Sequence, residues 1–131
     1  MSKDISKQKR ELVFKKYNGY CSYCGKIIFI NKFHVDHINP LFRGSTKEEL
    51  LKYDRIKGTN HIDNLNPACA SCNISKSTFT LEEWRNQLYL KIERLRKEST
   101  NFRLLEAFDI VKIQDKRIIF YFEKEGEVNN G

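Results

Sequence analysis

The sequence predicts an α+β fold: a small ββα core stapled by four cysteines, with an N-terminal helix, a C-terminal amphipathic helix and a C-terminal β-hairpin. Two Cys-x-x-Cys elements, Cys21–Cys24 and Cys69–Cys72, lie far apart in the chain and have equal spacing. Short runs of β-branched and aromatic residues lie between them, and hydrophobic residues recur at helical intervals from Leu81 to Leu95. A chain of 131 residues is long enough for one domain with short appendages.

The chain begins with a predicted helix and a predicted hairpin. Residues 5–17 suit a short basic helix, which ends at Asn18-Gly19 because both residues tolerate the left-handed conformation of a helix C-terminus. The apolar runs 27–30 and 33–38 are separated by a plausible turn and predict the two strands of a hairpin. Asn39-Pro40 ends the second strand, since proline cannot donate a ladder hydrogen bond.

A long polar loop and a short helix complete the predicted core. Residues 41–60 are mostly polar, with one helical turn expected near 47–53. A loop of this length in a small domain is more often functional than merely connecting. A third short strand near Leu65 leads into the second cysteine pair, and a helix is expected from about Ala70 to Ser77.

The C-terminal third predicts an amphipathic helix and a second hairpin. The helix begins with a capping box at Thr80, and its apolar face includes Trp84, which we assign to the core. A short helix is expected over 102–108. The runs 110–113 and 118–122 are rich in β-branched and aromatic residues and predict the two strands of the hairpin.

Charge and hydropathy narrow the class of protein. The formal net charge of +7 favours a polyanionic partner, although many basic proteins bind no nucleic acid. The polar segment 1–9 does not resemble a signal peptide, and the longest apolar run, 118–122, is far too short to span a bilayer. We therefore expect a cytoplasmic protein with no membrane partner.

The cysteine spacing predicts a structural zinc site. Each Cys-x-x-Cys turn can present two thiolates, so Cys21, Cys24, Cys69 and Cys72 complete a tetrahedron with no position left for water. A redox pair or incidental buried cysteines would not explain two equal spacings. Four thiolates and one Zn²⁺ together remove two positive charges, which leaves a net charge of about +5.

Three residues between and just after the two cysteine pairs suit phosphodiester hydrolysis. His37 is a natural general base near neutral pH, and Asp36 is a hard oxygen ligand for Mg²⁺ or Mn²⁺. Neighbouring strand residues point to opposite faces, so both can serve one phosphate only if the strand ends there, as Asn39-Pro40 predicts. Asn73 follows the last cysteine near a helix start, where its amide oxygen could be the second ligand and the zinc would position it.

From about Cys21 to Lys76 the sequence resembles the HNH endonuclease family, which has the ββα-metal fold. The resemblance rests on three segments in order: FHVDHINP over 33–40, NHIDNL over 60–65 and CNISK over 72–76.

The resemblance implies a role for each matching residue. Asp36 and Asn73 would hold the catalytic ion, His37 would activate water, and Asn64 would brace the loop between the two parts of the site. Lys76 corresponds to a basic residue near the phosphate. Asparagine stands at 73 where other members have histidine, which favours Mg²⁺ or Mn²⁺ over a catalytic zinc.

The sequence thus predicts an HNH nuclease domain over 1–85 and an extension over 86–131 that packs on the same domain. The substrate is taken as double-stranded DNA, contacted by Lys76, Arg43 and Arg10. Arg43 could equally be simply exposed, and Arg10 could equally brace the first cysteine pair. We interpret His34 as a partly buried histidine and not as an extra ligand.

Two other functions agree with the same sequence. A zinc-ribbon module that binds nucleic acid without cutting it would explain the cysteines and the charge, but not the grouping of Asp36, His37 and Asn73. The second alternative is a nuclease subunit that is active only within a larger phage, mobile-element or defence complex. The chain could act as a monomer or as a homodimer.

Overall fold

A computed structural model describes residues 5–53 and 55–124. Within these residues the fold combines α-helices with a small antiparallel sheet, which confirms the predicted α+β class. The elements, in chain order, are Lys7–Lys15 (α1), His34–His37 (β1), Lys47–Lys52 (α2), a 3-10 turn at Ile62–Asn64, Leu65–Ala68 (β2), Ala70–Lys76 (α3), Leu81–Glu98 (α4) and Thr100–Ala107 (α5).

The N-terminal helix forms as the sequence predicts. The Ser6 hydroxyl accepts a hydrogen bond from the Lys9 amide at 3.1 Å, which satisfies one of the unpaired donors of the first turn of α1. Val13 is the buried residue of this helix. After the helix, Asn18 and Gly19 adopt positive φ angles of 56° and 84°, as expected for the end of a helix.

The sheet consists of β1 and β2, and the predicted first hairpin is wrong. β1 pairs antiparallel with β2, so that Asp36 lies opposite Asn66. The run 27–30 forms no strand, and its first residue makes only an isolated bridge with Tyr20. The backbone of this run is used elsewhere: the Ile28 amide donates to the Gly19 carbonyl at 2.9 Å, on the chain that leads into the first cysteine pair.

The loop, the third strand and the next helix agree with their predictions. The helical turn expected near 47–53 is α2, the strand expected near Leu65 is β2, and the helix expected from Ala70 is α3. All four residues of β2 are buried. The core around the sheet is made of these buried side chains: Val13, Cys21, Tyr23, Ile28, Phe33, Leu65, Ala68 and Phe120.

The two C-terminal helices form, but the predicted second hairpin is wrong. Trp84 in α4 is buried, as predicted. Residues 112–120 have no regular secondary structure, and residues 121–124 form a helical turn. Side chains of α4 satisfy the backbone here instead of a partner strand, because the Tyr89 hydroxyl accepts from the Ile118 amide at 2.7 Å and Arg85 donates to the Ile118 carbonyl.

The chain divides into two compact units. One comprises Met1–Leu81 together with Ile119–Gly131, and the other comprises Glu82–Ile118. The first unit contains the sheet and the four cysteines, and the second contains α5 and nearly all of α4. The packing of the predicted extension 86–131 on the first domain stays a prediction. Among the described residues, no helix is both long and apolar enough to cross a membrane.

Candidate active site

The four cysteines come together in space, as their spacing predicts. Their sulfur atoms all lie within 4.8 Å of one another, and the Cys24 and Cys69 sulfurs are 3.8 Å apart. None of the four forms a disulfide bond. Two backbone amides point at the cluster: the Cys69 amide donates to the Cys21 sulfur, and the Cys72 amide donates to the Cys69 sulfur. We refer to this cluster as the four-cysteine site.

The pKa values of the cysteine thiols indicate that the four-cysteine site suits a bound cation. A hydrogen bond from the Cys72 thiol lowers the pKa of Cys21 to about 4. The same bond, together with burial, raises the pKa of Cys72. Burial also raises the pKa of Cys24. Four neighbouring thiols cannot all ionise on their own, whereas a bound cation would hold all of them as thiolates. Four sulfur donors suit a borderline ion such as Zn²⁺.

The four-cysteine site fixes the start of α3 and therefore the position of Asn73. The Cys69 side chain caps α3, and the Asn73 amide donates to the Cys69 carbonyl at 2.9 Å. Asn73 lines a cleft of about 800 Å³, and Asp36 and His37 line the same cleft from β1. The strand ends at His37, which lets two consecutive residues face one cleft. The structure thus brings together the three residues that the sequence singled out.

Asp36 is buried and held by two donors on one oxygen. The Tyr23 hydroxyl donates to its Oδ2 at 2.5 Å, and the Lys76 ammonium lies 3.0 Å from the same atom. Burial raises the pKa of Asp36, while the nearby Lys76 charge and the Tyr23 hydrogen bond oppose that rise. Burial, followed by the Asp36 charge, also holds the pKa of Tyr23 well above its ordinary value.

Lys76 is not placed to contact a phosphate, contrary to the prediction from the sequence. Its side chain is fully buried, and its ammonium donates to the His37 carbonyl at 2.8 Å as well as pairing with Asp36. Burial lowers the pKa of Lys76, and the Asp36 carboxylate opposes that shift. The side chain ties α3 to the end of β1 and has no surface for a ligand.

Asparagine side chains organise the end of β1. The His37 Nε2 atom lies 2.7 Å from the Asn60 amide oxygen, which holds the imidazole ring. Asn64 accepts from the Asn39 amide at 2.9 Å and donates to the carbonyls of Asn39 and Thr59 at 3.0 and 2.8 Å. The loop that follows β1 is therefore closed at its base, and Asn64 has the bracing position that the resemblance implies.

Arg43 and Arg55 line the cleft, and Arg10 lies elsewhere. Arg43 is exposed and lines it. Arg55 also lines it, with its guanidinium 5.0 Å from the Phe42 ring centre and 5.7 Å from that of Tyr53. Arg10 instead braces Phe33, the residue before β1: it donates to the Phe33 carbonyl at 2.6 Å and lies 4.1 Å from the ring centre.

The two remaining histidines lie in different surroundings. His34 is half-buried, as expected, and lines the cleft. His61 is exposed, and its Nδ1 atom accepts from the Asp63 amide at 3.3 Å.

Sequence reasoning misses Tyr23, Asn60, Arg55 and Lys16. Asn60 begins the segment NHIDNL, one of the three segments that carry the resemblance, so its position in that motif could have indicated a contact with the site. Lys16 donates to the carbonyls of Ile62 and Leu65 at 3.0 and 2.7 Å, and nothing in the chain around Lys16 indicates those partners.

Residues 21–79 match the family model described as HNH endonuclease. This segment is an HNH endonuclease domain. The cysteines, the β1 residues and Asn73 all lie inside the HNH domain, whereas α1, α4 and α5 lie outside it.

Two known proteins resemble the chain. The SPbeta prophage-derived protein YoqL of Bacillus subtilis (strain 168), which is named as an HNH endonuclease, is 40% identical over 72 residues, covering 53% of this chain and 28% of that protein. The chain thus spans less than a third of that relative's length. A crystal structure of the Type II-C Cas9 enzyme from Actinomyces naeslundii matches 63% of this chain and 8% of its own, with a TM-score of 0.49 and 24% identity.

Proposed function

We propose that the protein is a metal-dependent endonuclease that hydrolyses phosphodiester bonds of DNA. The observation that carries the proposal is the meeting of Asp36, His37 and Asn73 on one cleft of an HNH domain. These side chains supply a base and two hard oxygen ligands, which is the set that phosphodiester hydrolysis with a divalent ion needs.

In the proposed mechanism, His37 is the general base. Held by Asn60 through Nε2, it takes a proton from a water molecule through its other ring nitrogen. The water oxygen bonds to phosphorus as the bond from phosphorus to the 3′ oxygen breaks. Asp36 and Asn73 are the side chains that would hold Mg²⁺ or Mn²⁺. Such an ion would supply positive charge for the phosphorane and for the leaving 3′ oxygen.

The four-cysteine site would take a different ion. Its four sulfur donors fit Zn²⁺, and with every ligand position filled that ion would be structural. Its contribution to chemistry is indirect, because the capped start of α3 positions Asn73. The protein would therefore carry two ions of different kinds.

The substrate side of the cleft is assigned to arginine. Arg43 and Arg55 line the cleft and suit contacts to the phosphates that flank the scissile bond, in place of the buried Lys76. Because the zinc-bound protein would still carry a net charge of about +5, affinity should come largely from phosphate contacts and should fall as the salt concentration rises. The proposed active site occurs once in the described residues, which predicts nicking of duplex DNA by a monomer, and a double-strand break would need two copies.

Cleavage of supercoiled plasmid tests the proposal. We expect nicking with Mg²⁺ or Mn²⁺ and none with EDTA. The substitutions His37→Ala, Asp36→Asn and Asn73→Ala should each slow cleavage by about 100-fold or more. His61→Ala is the matched control, because His61 is exposed and does not line the cleft. Cleavage by His37→Ala at the parent rate would remove His37 from the mechanism.

A second candidate is a nuclease subunit that works only within a larger phage complex. The prophage origin of YoqL favours it. The isolated chain would then bind DNA without cutting it, and a neighbouring phage gene product would restore cleavage. Binding without cleavage under every combination of ion and partner would favour a non-catalytic zinc-ribbon module instead.

A further inference from the structure

The C-terminal segment 119–124 packs on the first cysteine pair, although it lies outside the HNH domain. The Tyr121 amide donates to the Tyr23 carbonyl at 3.0 Å, and the Phe122 amide donates to the Ser22 carbonyl at 2.8 Å. Gly25, with a φ of +78°, gives room to the Tyr121 ring, because a Cβ on Gly25 would lie 3.0 Å from that ring. The segment thus belongs to the same unit as the cleft.

Aromatic rings of this segment enclose Tyr23. The Phe120 ring meets the Tyr23 ring edge to face, with ring centres 5.5 Å apart, and the Phe122 ring does the same at 5.9 Å. Such arrangements add attraction beyond the burial of area and restrict the ring's orientation. Tyr23 and Phe120 are 4% and 3% exposed, so the phenol ring has little freedom to turn.

The enclosed phenol is aimed at the proposed ion ligand. The Tyr23 hydroxyl donates to Oδ2 of Asp36 at 2.5 Å, and Lys76 reaches the same oxygen from α3. Among the described residues, no hydrogen bond or ion pair occupies Oδ1 of Asp36, so this is the oxygen that remains for an ion. Two donors on one oxygen, one from the first cysteine pair and one from α3, fix the rotation of the carboxylate.

We propose that Tyr23 is a positioning residue of the catalytic ion site and that the C-terminal segment 119–124 supports the site through it. The proposal rests on the proposed function, in which Asp36 holds the ion. Hydrogen bonds of this outer kind orient a ligating carboxylate, and their loss typically weakens metal binding by 10- to 100-fold. A segment outside the family's own core would thereby tune the family's ion site.

Mn²⁺ binding to the zinc-loaded full chain, measured by electron paramagnetic resonance without DNA, tests this inference. We expect Tyr23→Phe to weaken Mn²⁺ binding about tenfold. We also expect it to lower kcat at limiting Mn²⁺ while leaving KM for DNA unchanged. Excess Mn²⁺ should restore its cleavage rate, which a merely structural defect would not allow. Tyr20→Phe is the matched control: it deletes a hydroxyl from the same aromatic cluster, where the Tyr20 ring lies tilted against that of Tyr121 with ring centres 6.0 Å apart.

A second variant tests the support from the C-terminal segment. Phe122→Leu keeps the Tyr23 hydroxyl but loosens its enclosure, so we expect Mn²⁺ binding to weaken about threefold, less than the 10- to 100-fold typical of losing the bond itself. In the double variant Tyr23→Phe/Phe122→Leu the losses should not multiply, because both act on one hydrogen bond.

The outcomes separate this inference from the proposed function. If Asp36→Asn leaves Mn²⁺ binding unchanged, Asp36 is not a ligand and the proposed function is wrong on that point. If Asp36→Asn abolishes binding while Tyr23→Phe binds Mn²⁺ like the parent, the positioning role of Tyr23 is overturned and the proposed function stands.

Discussion

Lys76 and Asp36 form a buried ion pair at the centre of the HNH domain. Both side chains are almost completely excluded from solvent, at 0% and 6% exposure, and their charged atoms are 3.0 Å apart. Burial of two charges carries a desolvation cost that their attraction only partly offsets, so such a pair is weak support for stability by itself. Removal of one partner is a different matter, since the other charge is then left buried and unpaired.

We therefore expect Lys76→Met to lower the free energy of unfolding by about 3–5 kcal/mol. Urea denaturation followed by circular dichroism measures this loss. Lys57→Met is the control, because Lys57 is exposed and the substitution removes the same charge. The double variant Lys76→Met/Asp36→Asn should recover part of the stability. A Lys76→Met protein as stable as the parent would contradict the buried-pair interpretation.

Asn60 contacts the proposed general base, because its amide oxygen lies 2.7 Å from Nε2 of His37. This contact leaves the other ring nitrogen to accept a proton and fixes the ring plane. We expect Asn60→Ala to slow plasmid cleavage by about tenfold or more at saturating ion. In a His37→Ala background the same change should have no further effect. An equal loss in both backgrounds would show that Asn60 acts elsewhere.

At the scale of the elements, the pairing of the strands is the point that the sequence does not reveal. The run 27–30 and the run that contains β1 are adjacent, apolar and separated by a turn-like pair, which favours a hairpin. β1 pairs instead with the distant β2, and the intervening loop closes between them. Helices α1, α3 and α4 were predictable, because caps and periodicity are local signals. The strand that pairs with β1 lies far away in the sequence, so local patterns do not identify it.

Gly58 shows how tightly this loop is closed. Its amide donates to the Pro40 carbonyl at 2.9 Å, and a Cβ placed on Gly58 would lie 1.7 Å from the Asn39 carbonyl oxygen. No rotation of a side chain relieves such a clash with backbone, so the bracing by Asn64 would have to open.

We expect Gly58→Ala to destabilise the fold by about 3 kcal/mol, near the upper end of the usual cost of overpacking, and to abolish cleavage. Gly44→Ala, at a φ of +82° with nothing within 4 Å of its Cβ, should cost only about 1 kcal/mol of conformational strain. Thermal unfolding of both variants makes the comparison. Equal losses would mean that the backbone contact at Asn39 does not restrain the loop.

At the scale of the whole molecule, some parts of the site can be predicted from local sequence motifs, whereas others depend on contacts that only the fold creates. The cysteine pairs and the candidate residues Asp36, His37 and Asn73 were predictable because residue type and short motifs indicate their chemistry. The roles that we propose for Tyr23, Asn60 and Arg55 depend on partners that the fold brings near them, and the proposed role of the C-terminal segment depends on its packing on the first cysteine pair. The run 118–122 has strand composition, yet its aromatic residues serve that packing.

We expect the whole domain to depend on an ion in the four-cysteine site for its folding. The site joins two distant segments of a small domain, and the binding free energy of a structural zinc is folding free energy, about 10–16 kcal/mol in small zinc domains. We expect one zinc per chain by elemental analysis. Blocking the thiols with a mercurial should release it, as a colorimetric chelator would detect. Release should abolish cooperative thermal unfolding and cleavage, and added Mg²⁺ should restore neither, because its hard oxygen preference does not suit sulfur. Cys69→Ser should behave like the stripped protein. A stripped chain that melts and cuts like the parent would show that the cluster holds no structural ion.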